Sequence, residues 1–595
     1  MEESNTFSPV EFYKNCQSSA ENKVAYLKKR LLALSSLRLL VFVLTVLLVY
    51  FLYPSPGLII LCLFLGIGTF LYLVHRYSDL KYEYRFQKEI GELCSIELQI
   101  AQGKYSNRPT GSEYLNQDHY YSNDIDLFGK GSFFQYLNRT VVSTATDELA
   151  KLLLSNNIDD ISHKQLAIKE LKEIPDWRLN FSAAANLIES TTFPRTIINW
   201  IEKYETFIPI WLGKIPLIFG GLSIGLITLT IFRFTDSIFL LYWIVIGSLI
   251  TGVYFKKVSR LASNCENAIA TIKQYSVLMK KIENQKFDSQ LLNRYKNKLT
   301  KSGRLASQEF HVFARALDHL DNRNNLIYGI IGNGFFLTDI FHSAKIEKWI
   351  RKNGGSIAEW FEVIAFFDAY LSLGTFAFNH PNYAFPEIGE GEVVIEAVDM
   401  GHPLLMEEDR VLNDVRINSE QFFIITGANM AGKSTFLRTI SLHIIMANIG
   451  LPVCAKRSLY SPIKLITSMR TEDSLASNSS YFFAELSRLK FVIDSISQEK
   501  YFVVLDEILK GTNSTDKALG SKKFVERLVK SKATGVIATH DLSLCETADY
   551  LEEVENFYFD AAIENDELSF DYKLKEGVCK NMNANFLLKK MKIIE

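Results

Sequence analysis

Four stretches of this chain, residues 39–53, 57–74, 215–232 and 237–255, contain no Asp, Glu, Lys, Arg or His. Such runs leave few options, because a helix without charge needs apolar surroundings on every side. The last three are 18 or 19 residues long, close to the roughly 20 that carry a helix through bilayer hydrocarbon. The first extends back past Arg38, whose long side chain can reach the interface while its stem stays apolar. The runs pair into two hairpins, closed by Tyr53-Pro-Ser-Pro-Gly57 and by Arg233-Phe-Thr-Asp236, neither of which carries net charge. The open ends are basic, with Lys28, Lys29, Arg30, Arg76 and Lys81 on the first, and Lys203, Lys214, Lys256, Lys257 and Arg260 on the second. The bias of positive charge towards the cytoplasm places both termini and the middle of the chain in the cytosol, and the protein in the inner (cytoplasmic) membrane. A helical hairpin buried in a soluble core fits the lengths and basic flanks less well.

A net charge of −2 excludes a global basic field for nucleic acid, so any such contact has to be local. The seven cysteines, Cys16, Cys62, Cys94, Cys265, Cys454, Cys545 and Cys579, form no C-x-x-C pair, which argues against a zinc site or a disulfide framework. The first ~30 residues lack the apolar core of a cleaved signal peptide.

The second informative feature is a phosphate loop. An apolar strand is expected over 421–426, then Gly427-Ala428-Asn429-Met430-Ala431-Gly432-Lys433-Ser434, then a helix from Thr435 to Asn448. This fits G-x-x-x-x-G-K-[ST] in the strand–loop–helix context that the motif requires. The glycines let backbone N–H groups surround phosphate, and the helix N-terminus adds its positive end. Lys433 is expected to reach the β- and γ-phosphates of ATP, and the Ser434 hydroxyl to sit on Mg²⁺. A second apolar strand, 501–505, delivers Asp506 and Glu507, one carboxylate for Mg²⁺ and one to orient or deprotonate water. A third, 534–539, ends at His540, a candidate sensor of the γ-phosphate. Ligands at the carboxyl ends of parallel strands describe an ATPase.

With these residues in place, the chain resembles the MutS family of DNA mismatch-repair ATPases. Gly427 to Arg438 is close to G-P-N-M-x-G-K-S-T-x-x-R, with Ala428 where proline is usual. Asp506 to Asp516 is similar to D-E-x-x-x-G-T-S-x-x-D, and Ala538-Thr-His-Asp541 to the switch after the third strand. Glu472 to Glu485 resembles the segment that reaches ATP on the other subunit, with Ser480 at the serine position; a polar loop entering a helix is the plain reading of the same residues. Upstream, Gly401-His-Pro-Leu-Leu405, Phe366 to Ala377 and Gly131 to Thr140 are similar to the family's lead-in and helical core. The resemblance implies a homodimer with composite sites that bind ATP and Mg²⁺, and DNA as a partner.

The departures matter too. Residues 77–127 are too few for the family's mismatch-reading domain, since domains usually run to about 100–150 residues. F-x-E occurs at Phe385-Pro-Glu387 and Phe483-Ala-Glu485, inside other elements. The second hairpin falls where the family carries its DNA-clasping arms, and basic clusters such as Lys280-Lys281 read equally well as a solvated helix face.

The expected architecture is an α/β P-loop ATPase domain of the ABC/MutS type with a largely parallel sheet, preceded by an all-α core and lever region with two transmembrane helical hairpins. Its divisions are a cytosolic segment 1–36, hairpin 37–76, linker helix region 77–127, core 128–214, hairpin 215–255, core and lever 256–390, and ATPase domain with a dimerisation region 391–595. A membrane ATPase without DNA recognition, transporter-like or scaffolding, is the competing function. The chain lacks the L-S-G-G-Q signature of transporters, and its apolar runs hold no ionisable residue to mark a substrate path.

Overall fold

The computed structural model describes residues 8–53, 55–188, 193–301, 303–470, 481–564, 567–579 and 594. Two helices open the chain, α1 (Pro9–Phe51) and α2 (Pro56–Ala101), each with proline in its first turn, where the missing N–H costs no helical bond. At about 1.5 Å per residue they run for roughly 65 and 70 Å, twice the depth of a bilayer core. Both helices run unbroken through the divisions expected at 36/37 and 76/77: no proline interrupts either there, and the backbone ladder continues past the apolar run. The tip half is exposed and apolar, with Leu47, Phe51, Ile60 and Phe64 uncovered. The base half packs on the helical core through Tyr13, Ala20, Ile90 and Cys94, which meet Ala183 and Phe378.

The core contains α3 (Ser143–Leu154), α4 (Ile161–Lys172) and α5 (Pro175–Asn186). The second apolar hairpin follows as α6 (Ile215–Ile231) and α7 (Ile238–Val253), which bends by 71° into α8 (Phe255–Asn284). Then come α9 (Ala306–Asp321), α10 (Leu326–Phe336), α11 (Thr338–Asn353) and α12 (Ile357–Asn379). By length and composition alone, four stretches among the described residues suffice to cross a membrane: Pro9–Phe51, Pro56–Ala101, Leu212–Ile231 and Thr338–Asn379; the bent pair Ile238–Val253 and Phe255–Glu266 makes up to five. Thr338–Asn379 differs from the rest. Its apolar window is 89% buried inside the protein, because α12 is the central strut of the helical core. The small-residue pair Gly221 and Gly225 has no neighbour within reach of an added Cβ, whereas Gly220 and Gly247 face α10.

The C-terminal unit is a six-stranded sheet, a four-stranded sheet and their flanking helices. Its strands are β1 (Glu387–Ile388), β2 (Val393–Met400), β3 (Asn413–Asn418), β4 (Phe422–Gly427), β5 (Arg457–Tyr460), β6 (Lys464–Ser468), β7 (Tyr501–Asp506), β8 (Thr534–Ala538), β9 (Val554–Phe559) and β10 (Leu574–Glu576). The large sheet runs β10-β9-β4-β8-β7-β6 and is parallel except for β10. Strands β4, β7 and β8 are buried on both faces, which is why they read as unbroken apolar runs rather than alternating ones. Their register sets Ala538 beside both Ile425 and Asp506, so three carboxyl ends finish side by side.

Residues beyond Ala101 do more than link. Tyr120 accepts at its carbonyl from Thr467 N (2.9 Å), and the His119 carbonyl accepts from Arg488 Nη2 (2.9 Å), so this segment docks on the edge of the ATPase sheet.

Candidate functional site

The loop between β4 and α13 (Lys433–Asn448) needs glycine at two points. Gly432 has φ +104°, a region closed to most side chains, and its Cα passes under the Tyr572 ring. Gly427 has φ +150°, and a Cβ there would lie 2.7 Å from the Phe559 carbonyl oxygen. Non-glycine Met430 also takes a positive φ, +67°, at the exposed tip of the loop. The loop folds back on Lys433: its Nζ donates to the carbonyls of Gly427 (2.8 Å) and Ala428 (3.0 Å). Burial pulls the Lys433 ammonium below its usual range, with Glu507 and Asp506 opposing. A buried cation held by two loop carbonyls is poised to exchange them for a stronger anionic partner.

Ser434 opens α13 and donates from Oγ to Asp506 Oδ2 at 2.7 Å. Burial raises the Asp506 carboxyl above the usual range, and the Ser434 bond works against that rise. One hydroxyl and one carboxylate at this separation form the donor set of a hard divalent cation that keeps most of its waters. No cluster of three or more His, Cys, Asp or Glu exists among the described residues, so this pair fits a magnesium shared with phosphate oxygens rather than an all-protein cage.

Glu507 follows with φ +48°, its N–H bonded to the Ala538 carbonyl at 2.9 Å, which turns its side chain out of the sheet towards β8. Oε1 lies 2.9 Å from His540 Nε2, and Oε2 lies 3.5 Å from Lys510 Nζ. The His540 hydrogen bond, more than the Lys510 charge, holds Glu507 at about 2. His540 Nε2 also lies 3.2 Å from Lys433 Nζ. One ring nitrogen cannot donate to Glu507 and accept from Lys433 together, so His540 chooses between base and cation.

These groups share one cavity of about 670 Å³. The structure brings Gly427, Ala428, Asn429, Met430, Ala431, Gly432, Lys433, Ser434, Thr435, Asp506, Glu507 and His540 together at the strand ends. Ser480 lies outside the described residues, as do 472–479. Its neighbour in the same motif, Glu485, is buried and accepts from Lys510 N (3.2 Å), which ties α14 (Tyr481–Ile496) to the turn after Glu507. The far wall holds Met400, His402, Leu405, Asp409, Phe559 and Tyr572. Burial, with Arg438 and Arg410 nearby, lowers His402 to about 4, so it is neutral at pH 7. Met400, Leu405, Phe559 and Tyr572 beside a neutral ring suit a flat heteroaromatic group. The motif Gly401-His-Pro signalled His402 without a role, and nothing local signalled Tyr572.

Residues 423–589 match the family model for MutS domain V. The matched stretch carries the phosphate loop, Asp506, Glu507 and His540, so the ATPase unit is similar to that MutS domain. The DNA mismatch repair protein MutS of Thermodesulfovibrio yellowstonii is 34% identical over 229 residues, 36% of this chain and 26% of that protein. The DNA mismatch repair protein MSH4 of Arabidopsis thaliana is 28% identical over 293 residues, 47% of this chain and 36% of that protein. Human MutS protein homolog 4 is 34% identical over 194 residues, covering 31% and 20%. The chain thus spans between a fifth and just over a third of the length of these relatives. Arg438, the last residue of the MutS-like loop motif, lies 3.5 Å from Asp126, which also binds Arg470 through both guanidinium nitrogens (2.5 and 2.9 Å). The phosphate-loop helix is thereby fastened to the segment that leads from the first hairpin.

Proposed function

We propose that this chain is a membrane-anchored ATPase of the MutS type, acting as a homodimer in a DNA transaction related to mismatch repair. The observation that carries the ATPase reading is the convergence of Lys433, Ser434, Asp506, Glu507 and His540 at three strand ends around one cavity. Lys433 gives up the Gly427 and Ala428 carbonyls to hold the β- and γ-phosphates of ATP. Ser434 and Asp506 hold Mg²⁺, which neutralises phosphate charge when bound. His540 keeps Glu507 ionised and aimed, and Glu507 orients or deprotonates the attacking water. Ser480 of a second copy completes the site, so nucleotide occupancy governs how two chains meet.

The DNA part rests on the relatives' names, and the anchor on the apolar, exposed hairpins with basic feet. Lys203, Lys256, Lys257 and Arg260 line one cavity of about 680 Å³ at the foot of the second hairpin, with Trp200 and Tyr204. Cations and amphipathic rings at that level suit a cytoplasmic membrane surface.

The test uses detergent-solubilised full-length protein. Mg²⁺-dependent ATP hydrolysis should be lost in Lys433→Met and Glu507→Gln; equal rates in all three would sink the ATPase reading. Fluorescence anisotropy of Glu507→Gln with matched, mismatched and branched duplexes at two salt concentrations addresses DNA. Salt-sensitive binding that changes with ATP supports it, and no binding to any duplex while the parent hydrolyses ATP removes it.

A further inference from the structure

The 11-residue helix α10, Leu-Ile-Tyr-Gly-Ile-Ile-Gly-Asn-Gly-Phe-Phe, is too short to span a bilayer and has no place in the nucleotide site. It does not pack in the helical core. It lies against the second apolar hairpin, with Gly334 on Ile244 and Gly247 of α7, and Phe336 on Gly220 of α6. The contact is at backbone distance: a Cβ on Gly247 would sit 2.4 Å from the Gly334 carbonyl oxygen. Measured along the helices, Gly247 is about 9 Å from the Val253 end and Ser223 about 12 Å from the Ile215 end, at 1.5 Å per residue. Two side chains of α10 are bare, Ile330 and Ile331, exposed by 51% and 49%. Leu222 and Leu249 of the hairpin itself are exposed as well, by 58% and 68%.

The path of the chain is out and back. Before α10, Arg323 donates to Ser259 (3.0 Å) and stacks over Phe255, at the foot of α7. After α10, Leu337 turns the chain with φ +49°. Then Asp339 reaches the same Arg323 at 3.1 Å, and Ile340 joins Ile208, Leu212 and Ile215 at the foot of α6. The tip between these feet leaves little backbone unmet. Ser223 Oγ donates to the Phe335 carbonyl (2.6 Å), and Trp243 Nε1 donates to Ser223 (2.7 Å). Asn333 Oδ1 accepts from Thr338 Oγ1 (3.1 Å) and from Asp339 N (2.9 Å), and the Asn333 carbonyl accepts from Leu337 N (3.3 Å). Non-helical backbone survives at membrane depth only when its polar groups are met in this way.

We infer that α10 and the turn after it form a re-entrant element, which enters the bilayer beside the second hairpin to about half depth and returns to the cytosolic foot. This rests on the membrane reading above and adds a third embedded element to it. The occupant against the bare Ile330 and Ile331 side chains is lipid acyl chain, the surroundings that the membrane reading also gives to exposed Leu222 and Leu249 of the hairpin that α10 packs against. At about 1.5 Å per residue α10 is roughly 16 Å long, half of the ~30 Å hydrocarbon core.

The test places a nitroxide at one site at a time, Ile331→Cys, Leu249→Cys or Val312→Cys, in full-length protein reconstituted into phosphatidylcholine–phosphatidylglycerol vesicles. Collision with oxygen and with a water-soluble nickel chelate is read by power saturation. Val312, on α9, is 59% exposed away from the hairpin and reports water. The proposal expects Ile331 to be oxygen-rich and nickel-poor, as at Leu249. Nickel access at Ile331 with an oxygen-rich Leu249 overturns the re-entrant element and leaves the anchor standing. Nickel access at all three sites overturns the anchor itself. Low access to both reagents at Ile331 also overturns the proposal, since protein rather than lipid then covers that side. Gly247→Leu should drive α10 off the hairpin and raise nickel access at Ile331 several-fold, whereas Gly221→Leu, facing open space, should leave it unchanged.

Discussion

Glu507 shows how much one hydrogen bond sets. Its folded pKa, about 2, lies below the ordinary glutamate value, so the carboxylate stays charged until the pH falls through about 2. The hydrolysis rate should therefore carry no acid limb from Glu507 anywhere above pH 3. His540→Ala removes the largest cause of the depression, and the acid limb should move up towards the ordinary value of about 4.3. Comparing pH–rate profiles of the parent and His540→Ala between pH 4 and 8 checks this; superimposable shapes would remove His540 from the role. Lys433→Met keeps the length of the side chain and deletes its charge. A charged hydrogen bond contributes about 1.5–3 kcal/mol, so ATP affinity should fall about 10- to 150-fold in equilibrium binding. Loss of turnover without loss of affinity would reassign Lys433 to the chemistry alone. Glu507→Gln should do the reverse, cutting turnover by about 10²–10⁴-fold while the nucleotide still binds.

At the scale of elements, Asp368 joins α12 to α3. It is buried, and Oδ2 accepts from Val141 N (2.8 Å) and Val142 N (2.9 Å) ahead of the first turn of α3, while Oδ1 has no partner among the described residues. Burial raises its carboxyl to about 7, with those two N–H groups opposing. A carboxyl raised in the folded state stabilises the fold below its unfolded value, near 3.8, and that stabilisation is lost as pH rises through about 7. The melting temperature should therefore fall between pH 5 and 8, and Asp368→Asn, neutral throughout, should flatten the slope. Equal slopes in both proteins would show that Asp368 does not titrate there. Elements of this kind divide by how far a sequence reading can see. The phosphate loop and the strands delivering Asp506 and His540 were legible because each motif is contiguous and its strand is buried on both faces. The helix of 326–336 was not, because three glycines and a length of 11 residues place it below any span-length criterion. Thr338–Asn379 errs the other way, apolar enough to span yet folded into the core. Nor did the sequence reveal that Asp126 secures Arg438, since over 300 residues separate them and only the fold brings them together.

The whole molecule joins the candidate nucleotide site to the base of the first apolar hairpin through few, identifiable contacts. At the base of the first hairpin, Glu97 binds Arg139 (2.5 and 3.2 Å) and Asn379 Nδ2 (2.8 Å), while Tyr13 donates to Asn379 Oδ1 (3.0 Å). Asn379 ends α12, and the bridge between Ala384 and Val453 then ties the following loop to the ATPase unit. A displacement of the ATPase unit thus has a rigid route to the hairpin, because the Glu97–Arg139 pair is buried and cannot slide without exposing an unpaired charge. With the hairpins as the proposed membrane anchor, this arrangement requires the ATPase unit and the bases of both hairpins to share one side of the bilayer. The charges agree: the basic flanks lie at the hairpin bases, and the turns at residues 54–56 and 233–236 carry none in excess. Alkaline phosphatase inserted after Ser55 or after Thr235 should be active outside the cytosol, whereas green fluorescent protein fused to the C-terminus should fluoresce inside. Carbonate-washed membranes should retain the full-length chain. Phosphatase activity at only one turn would mean that one hairpin lies on the surface and that force from the nucleotide site enters the bilayer through the other alone; activity at neither, with the chain released by carbonate, would remove the anchor.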